Sequence, residues 1–427
     1  MEQTVQPLRA AIISDSQAYP TLSDWGMDNL NRALQFLAPM KPDVLLMAGD
    51  LADGTNFETY KVYRQLLEKH FDPMPVHVGC AGNHDYWVPK GTERDPEFIY
   101  SEMSRLIGQK NANPLHETVG GYDFIAFSED IKLENGYSPE MIWLLEKEIK
   151  KSVERDPEKP VFVISHYHPV NTVTGSHTSS GRPELRELFN RYPQVVSISG
   201  HTHCPLEDER CIWQGEFTAI NSSTLAYGCV EESCCYNNCS VIAPFADEVL
   251  NVMLMEIYPD HCDIHRYNIE DRREIKPDNL WSFPLPHDPA NPKYSDYRRL
   301  ERSAPEFPPG AYGVLRYDYG FLYVIFDQAV HEDFVHFYII KVYEKTDDGW
   351  VLKSDEYYLN DFYRLEGRSK PRQVFKLPGE IITPGCEIRV EIYPLESFLN
   401  TGKPLVIERV IPKPLKYKEG KNLYPQI

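Results

Sequence analysis

The chain has no apolar run approaching the ~18 residues that a membrane-spanning helix requires, so no segment is read as crossing a bilayer. Its first residues, MEQTVQPLRAAIISDSQ, lack the basic start, the long apolar stretch and the small-residue cleavage site of a secretory leader. The expectation is a cytoplasmic protein. Basic residues are also scarce: 44 Lys and Arg stand against 64 Asp and Glu, for a net charge of -20. That balance excludes a nucleic-acid scaffold, because affinity for phosphate backbones is built from Lys and Arg, and it disfavours an anionic membrane surface. A small phosphorylated ligand survives the exclusion only if a local positive centre, such as a metal ion, overrides the global field. The nine cysteines are odd in number and show no paired C-x-x-C spacing, which fits a reducing compartment better than a disulfide framework. The cluster from Cys229 to Cys239 is accordingly read as small packed side chains, not a soft-metal site. GSHTSSG has no Lys and follows no predicted strand, so it is not a phosphate-cradling P-loop. No pattern in the sequence fixes an oligomeric state.

What is present points to two domains. A chain of 427 residues exceeds a single typical core, and its 42% hydrophobic content can fill two. AAIISD (10–15), DVLLMAGD (43–50) and PVHVGCAGNHD (75–85) read as buried strands, with helices between them, the first capped by Ser23 or Asp24 and the second spanning 57–71. Continuously apolar strands alternating with helices predict a parallel sheet covered on both faces. The polar stretch 86–120 reads as an insertion over the strand ends. Strands at 122–128, 160–166 and 195–203, a helix at 138–154 and a short helix at 183–192 continue the α/β pattern. EFTAINSSTL, VLNVMLMEIY and CDIHRYNIE are expected to be antiparallel strands completing a second sheet, closing this domain near residue 270.

Residues 271–308 are proline-rich and aperiodic, and are read as a linker wrapping a surface. From 309 to 427 the sequence is β-rich and aromatic, with turn residues between short runs. This stretch resembles a fibronectin type III or immunoglobulin-like sandwich.

The polar residues cluster where predicted strands run out: Asp15 and Gln17 in SDSQ, Asp50 and Asp53 in GDLAD, Asn83, His84 and Asp85 in GNHD, His166 and His168 in SHYHP, and His201 and His203 in GHTH. In a parallel α/β sheet these ends share one edge, where ligands bind. Carboxylates gathered there would repel one another without compensating positive charge. Mixed oxygen and imidazole donors with no thiolate favour Mn, Fe, Zn or Co.

In this order, the motifs resemble those of the calcineurin-like metallophosphoesterase superfamily over roughly residues 8–270. The resemblance implies an α/β fold with four α-β-β-α layers and two divalent metal ions. It implies that Asp15 and His203 bind the first ion, that Asp50 bridges both, and that Asn83, His166 and His201 bind the second. His84 would contact the phosphate or protonate the leaving group, with Asp85 orienting it. Gln17 stands where the family usually carries His. Its neutral carbonyl is either a weaker ligand or merely a hydrogen-bonding neighbour. His168, two residues beyond His166 on an extended segment, is read as a substrate contact or a substitute ligand, and His177 and Arg182 as substrate contacts.

The resulting expectation is a dinuclear-metal phosphohydrolase acting on a small phosphorylated substrate, a phosphodiesterase before a phosphomonoesterase. The competing class is a carbohydrate- or polymer-binding protein with an atypical metal centre and non-standard hydrolytic chemistry.

Overall fold

A computed structural model describes residues 6–88, 95–129, 136–177, 180–231 and 241–412. They divide into two compact units, residues 1–300 with 363–365, and residues 301–362 with 366–427.

In the first unit the strand Leu8–Ile13 lies parallel to Val44–Ala48, which lies parallel to Val76–Cys80. These runs are apolar on both faces because both are covered. Ala10 and Ile12 point into one core with Val44, Leu46, Phe124, Phe162 and Ile198, whereas Ala11 and Ile13 point into another with Met27, Leu30, Leu34, Tyr60 and Tyr63. The period-2 alternation of a strand thus divides one hydrophobic run between two layers. The helices of the second core are Trp25–Leu37, whose N-cap Asp24 accepts from the Met27 amide, and Phe57–His70, capped by Asn56.

A second sheet runs in the order Ile212–Gln214, Thr218–Asn221, Val195–Ser199, Val161–Ser165, Tyr122–Phe127, Leu115–Val119, with its central pairs parallel. Its outer face packs on the helices Pro139–Arg155 and Pro183–Phe189 through Leu145, Ile149, Leu185 and Leu188. The layers are therefore helix, sheet, sheet, helix, and the strand ends of both sheets meet at one edge.

Two expectations are corrected. Asn251–Ile257 and His261–Asn268 do not complete the second sheet; they extend the first, with Asn251–Ile257 antiparallel to Leu8–Ile13. Thr218–Asn221 does join the second sheet, but parallel to Val195–Ser199. An apolar run encodes burial, not the identity of its neighbour. The proline-rich stretch also contains a core element: Trp281–Pro284 pairs with His261–Asn268, and Trp281 is fully buried between the sheets. Prolines confine this strand to an edge without forbidding it. Within the stretch read as an insertion lie a helix, Pro96–Ile107, and the edge strand Leu115–Val119.

The second unit is all-β. Gly313–Asp318, Phe321–Asp327 and Arg372–Pro378 form one antiparallel sheet; Gly349–Leu359, Phe337–Thr346, Glu387–Leu395 and Leu405–Val410 form another. Leu322, Val324 and Phe326 of the first share a core with Tyr338, Ile340 and Val390 of the second. No helix among the described residues is long and apolar enough to cross a membrane.

Candidate metal centre

Turns that leave the strands place the polar residues, and they do so with unusual backbone geometry. Asp15, Gln17, Asp50, His201 and His203 all have positive φ, between 43° and 70°. Non-glycine residues seldom occupy this region, and when they do so together the strain marks a functional edge. Glycines allow the turns to meet. A Cβ on Gly82 would overlap the Asp50 carboxylate, and one on Gly200 would overlap Ser14 and Asp15.

At the centre, His166 is fully buried. Its Nδ1–H donates to the Ala48 carbonyl at 2.9 Å, because a carbonyl can only accept. Its Nε2 faces Asn83 Oδ1 at 3.0 Å, His201 Nδ1 at 3.1 Å and Asp50 Oδ2 at 3.3 Å. In the neutral ring that nitrogen carries a lone pair facing the Asn83 and Asp50 oxygens, acceptor against acceptor. An added proton or a cation relieves that pairing. Burial works against the proton, yet Asp50 pushes the His166 pKa up to about 10. Burial alone would raise the Asp50 carboxyl, and the imidazoles of His166, His84 and His201 instead hold it below the ordinary carboxylate range. His201 is half-buried, and desolvation together with the neighbouring His166 holds it well below the usual imidazole range.

The same pattern recurs alongside. His203 Nδ1 donates to the Tyr227 carbonyl at 2.9 Å, leaving Nε2 facing Asp15 Oδ1 at 3.0 Å. Asp15 also accepts from the His201 amide and from the Ser14 hydroxyl. Backbone carbonyls thus fix both ring tautomers with the free nitrogen aimed at a carboxylate, the arrangement that metal-binding histidines use. Oxygen and imidazole donors without a thiolate suit a hard or borderline divalent ion. Asp50, His166 and His201 each bring a donor atom within 4.8 Å of the others. The residues present fit a metal site.

His84 stands at the rim. Its backbone N–H donates to Asp50 Oδ1 at 2.8 Å, its Nδ1 meets Asp53 Oδ1 at 2.8 Å, and its Nε2 lies 3.9 Å from Asp50 Oδ2. The carboxylate that orients His84 is therefore Asp53, not Asp85. Asp85 is buried and accepts from the amides of Leu51, Ala52 and Gly82 and from the Tyr60 hydroxyl, pinning the GDLAD turn to the GNHD turn. The spacing of GDLAD offered Asp53, but spacing alone could not choose between two acids.

Gln17 is buried, and its backbone N–H donates to the Asp50 carbonyl at 2.9 Å. Three residues read as substrate contacts have other partners. His168 is buried, with Nε2 3.1 Å from Thr202 Oγ1, and burial pushes its pKa down to about 3. Arg182 is buried with its guanidinium 3.5 Å from the centre of the Tyr167 ring and 3.3 Å from Glu129. His177 lies 3.6 Å from Glu231. An extended His-x-His puts both rings on one side only if the strand continues. Here Val161–Ser165 ends first. Tyr167, between the two histidines, escaped notice: its ring lies 4.1 Å from that of His201 and its hydroxyl donates to Asn83 Oδ1 at 3.4 Å. Cys234, Cys235 and Cys239 lie outside the described residues.

The calcineurin-like phosphoesterase family model matches residues 8–205, the stretch carrying every residue of this centre. Residues 8–205 are a calcineurin-like phosphoesterase domain. The chain is 27% identical over 172 residues to a probable glycerophosphodiester phosphodiesterase, GpdQ, of Arcobacter nitrofigilis (38% of this chain, 57% of the relative). It is 22% identical over 178 residues to a probable cyclic nucleotide phosphodiesterase of Pseudoalteromonas sp. strain SM9913 (41% and 62%). The chain thus spans less than two thirds of the length of these relatives. A dimetal phosphatase from Danio rerio superposes with a TM-score of 0.43 at 12% identity, covering 63% of this chain and 99% of that one.

Proposed function

We propose that this protein is a metal-dependent phosphohydrolase that cleaves phosphodiesters of small molecules. The observation that carries the reading is the convergence of lone pairs from His166, His203, Asn83, Asp15 and Asp50 beside a histidine whose Nδ1 is engaged by a carboxylate. Asp15 and His203 would hold one divalent ion, Asn83, His166 and His201 a second, and Asp50 both. Bound there, the ions would withdraw charge from the phosphate oxygens and acidify the attacking water. The chain's own residues supply the rest. Asp53 anchors Nδ1 of His84 and aims Nε2 at the centre, where a protonated ring can donate to the departing alkoxide. The one arginine assigned to the rim from sequence, Arg182, is turned onto Tyr167 and Glu129, which suits a singly charged diester better than a doubly charged monoester. The two phosphodiesterase-named relatives point the same way. For the all-β unit, the strand order of its three- and four-stranded sheets supports the fibronectin-like reading.

The test is metal content together with turnover of bis(p-nitrophenyl) phosphate by wild type and Asp50→Asn. Asp50→Asn should lose most bound metal and its activity. Two retained ions with near-normal turnover would refute the assignment.

A further inference from the structure

Large apolar side chains normally seek the interior, and contiguous exposure of several marks a contact surface. Exposed aromatic rings border the candidate centre. Trp87 is 54% exposed, Trp25 51% and Tyr19 47%. They are tied to the site by contacts: the Trp87 ring centroid lies 3.7 Å from that of His84, the Tyr19 hydroxyl donates to Asp53 Oδ2 at 2.9 Å, and Trp25 lies 6.5 Å from Tyr227, itself 4.6 Å from His203. Trp87 is not a loose side chain on a frayed loop. Its amide donates to the His84 carbonyl at 3.1 Å, and its own carbonyl accepts from the Thr55 amide at 2.7 Å. The backbone holds an indole at the surface, one side covered by the ring whose Nε2 faces the centre.

We propose that Trp87 is a specificity-determining residue that stacks a planar ring carried by the departing alcohol of the diester. The inference rests on the phosphodiesterase reading and adds the substrate class to it. The leaving oxygen must come to His84 Nε2, so its substituent passes beside Trp87. A new P–O bond forms from water as the P–O bond to the ring-bearing alcohol breaks. The bonding pair stays on the leaving oxygen, which takes the His84 proton. A flat, uncharged ring gains stacking on the indole without needing a cation, in keeping with an acidic chain. A nucleobase and a simple aryl group share this chemistry.

The experiment compares symmetric diesters, so that the departing arm is unambiguous: dibenzyl phosphate, 5′,5′-linked dithymidine phosphate and bis-glycerol phosphate, with the full-length metal-loaded protein. Wild type should show higher kcat/KM for the ring-bearing diesters. In Trp87→Ala the ratio of ring-bearing to bis-glycerol kcat/KM should fall roughly 5- to 100-fold, the usual worth of one stacking platform. Trp87→Phe should recover much of the ratio, and replacing the remote exposed Trp143 by Ala should not change it. Loss for the dithymidine diester alone would assign the platform to a base; loss for both would assign it to any flat ring. A ratio unchanged by Trp87→Ala overturns the inference while leaving the phosphodiesterase reading intact. Wild type that cleaves none of these diesters nor bis(p-nitrophenyl) phosphate overturns both.

Discussion

His84 is held at ring and backbone: Asp53 takes Nδ1 and the backbone amide donates to Asp50. A ring fixed this way differs from the metal-facing histidines, whose Nδ1 atoms are spent on carbonyls, because a carboxylate orients it with Nε2 towards the centre, where a general acid must stand. His84→Ala should therefore lower kcat by roughly 10²–10⁴, the usual worth of a general acid, with metal content near wild type. The loss should shrink as the leaving group becomes more acidic, and an equal loss for all leaving groups would show that the ring only binds phosphate. Asp53→Asn should reproduce part of this loss with the same leaving-group trend. Sequence revealed the donors because Asp, Asn and His recur where apolar runs stop. It could not reveal which acid serves His84, since Asp53 and Asp85 meet that ring only through the folding of two separate turns. Gln17 was legible as an oddity, and its backbone bond to the Asp50 carbonyl was not.

Between elements, Asp85 does what the motif suggested for catalysis but in a structural sense. Its carboxylate gathers three backbone amides and the Tyr60 hydroxyl, fastening the turn after Val44–Ala48 to the turn after Val76–Cys80. Burial, then the nearby Asp50, pushes its pKa up to about 6. Each donor stranded by its removal costs about 1–3 kcal/mol, so Asp85→Ala should lower the unfolding free energy by at least about 3 kcal/mol in a denaturant titration. A variant of normal stability with reduced kcat would reverse the assignment. Strand Val76–Cys80 offers a second test. His77 sits buried between Tyr63 and Gln109, and burial pushes its pKa down to about 4. Between about pH 6.5 and 4 the unfolded chain binds a proton that the folded chain refuses, so stability falls with pH across that window, by up to about 3 kcal/mol. His77→Gln should flatten that part of the stability profile, and an unchanged slope would show that His77 does not contribute. Such strands were legible from their apolar runs. Their neighbours were not, which is why Asn251–Ile257 and His261–Asn268 were expected in the wrong sheet and Trp281–Pro284 in none.

For the whole molecule, the division into two units has a thermodynamic consequence. Every donor of the candidate metal centre lies in the first unit, whose three cores are built from its own strands and helices. The all-β unit fills its core from its own two sheets. An ion that binds only the folded first unit stabilises that unit by RT ln(1 + [M]/Kd), about 2.7 kcal/mol at a hundredfold excess over Kd. Relief of the lone-pair repulsion at His166 and His203 is the source of that gain, and no comparable cluster of donors occurs among the described residues of the second unit. Calorimetry of the full chain should therefore show two transitions. Adding Mn or Zn should raise one, a chelator should return it, and the other should stay in place. Asp50→Asn should abolish the shift without moving the second transition. A single transition, or two that move together with metal, would mean that the units unfold as one body and that the centre's stabilisation is shared across both.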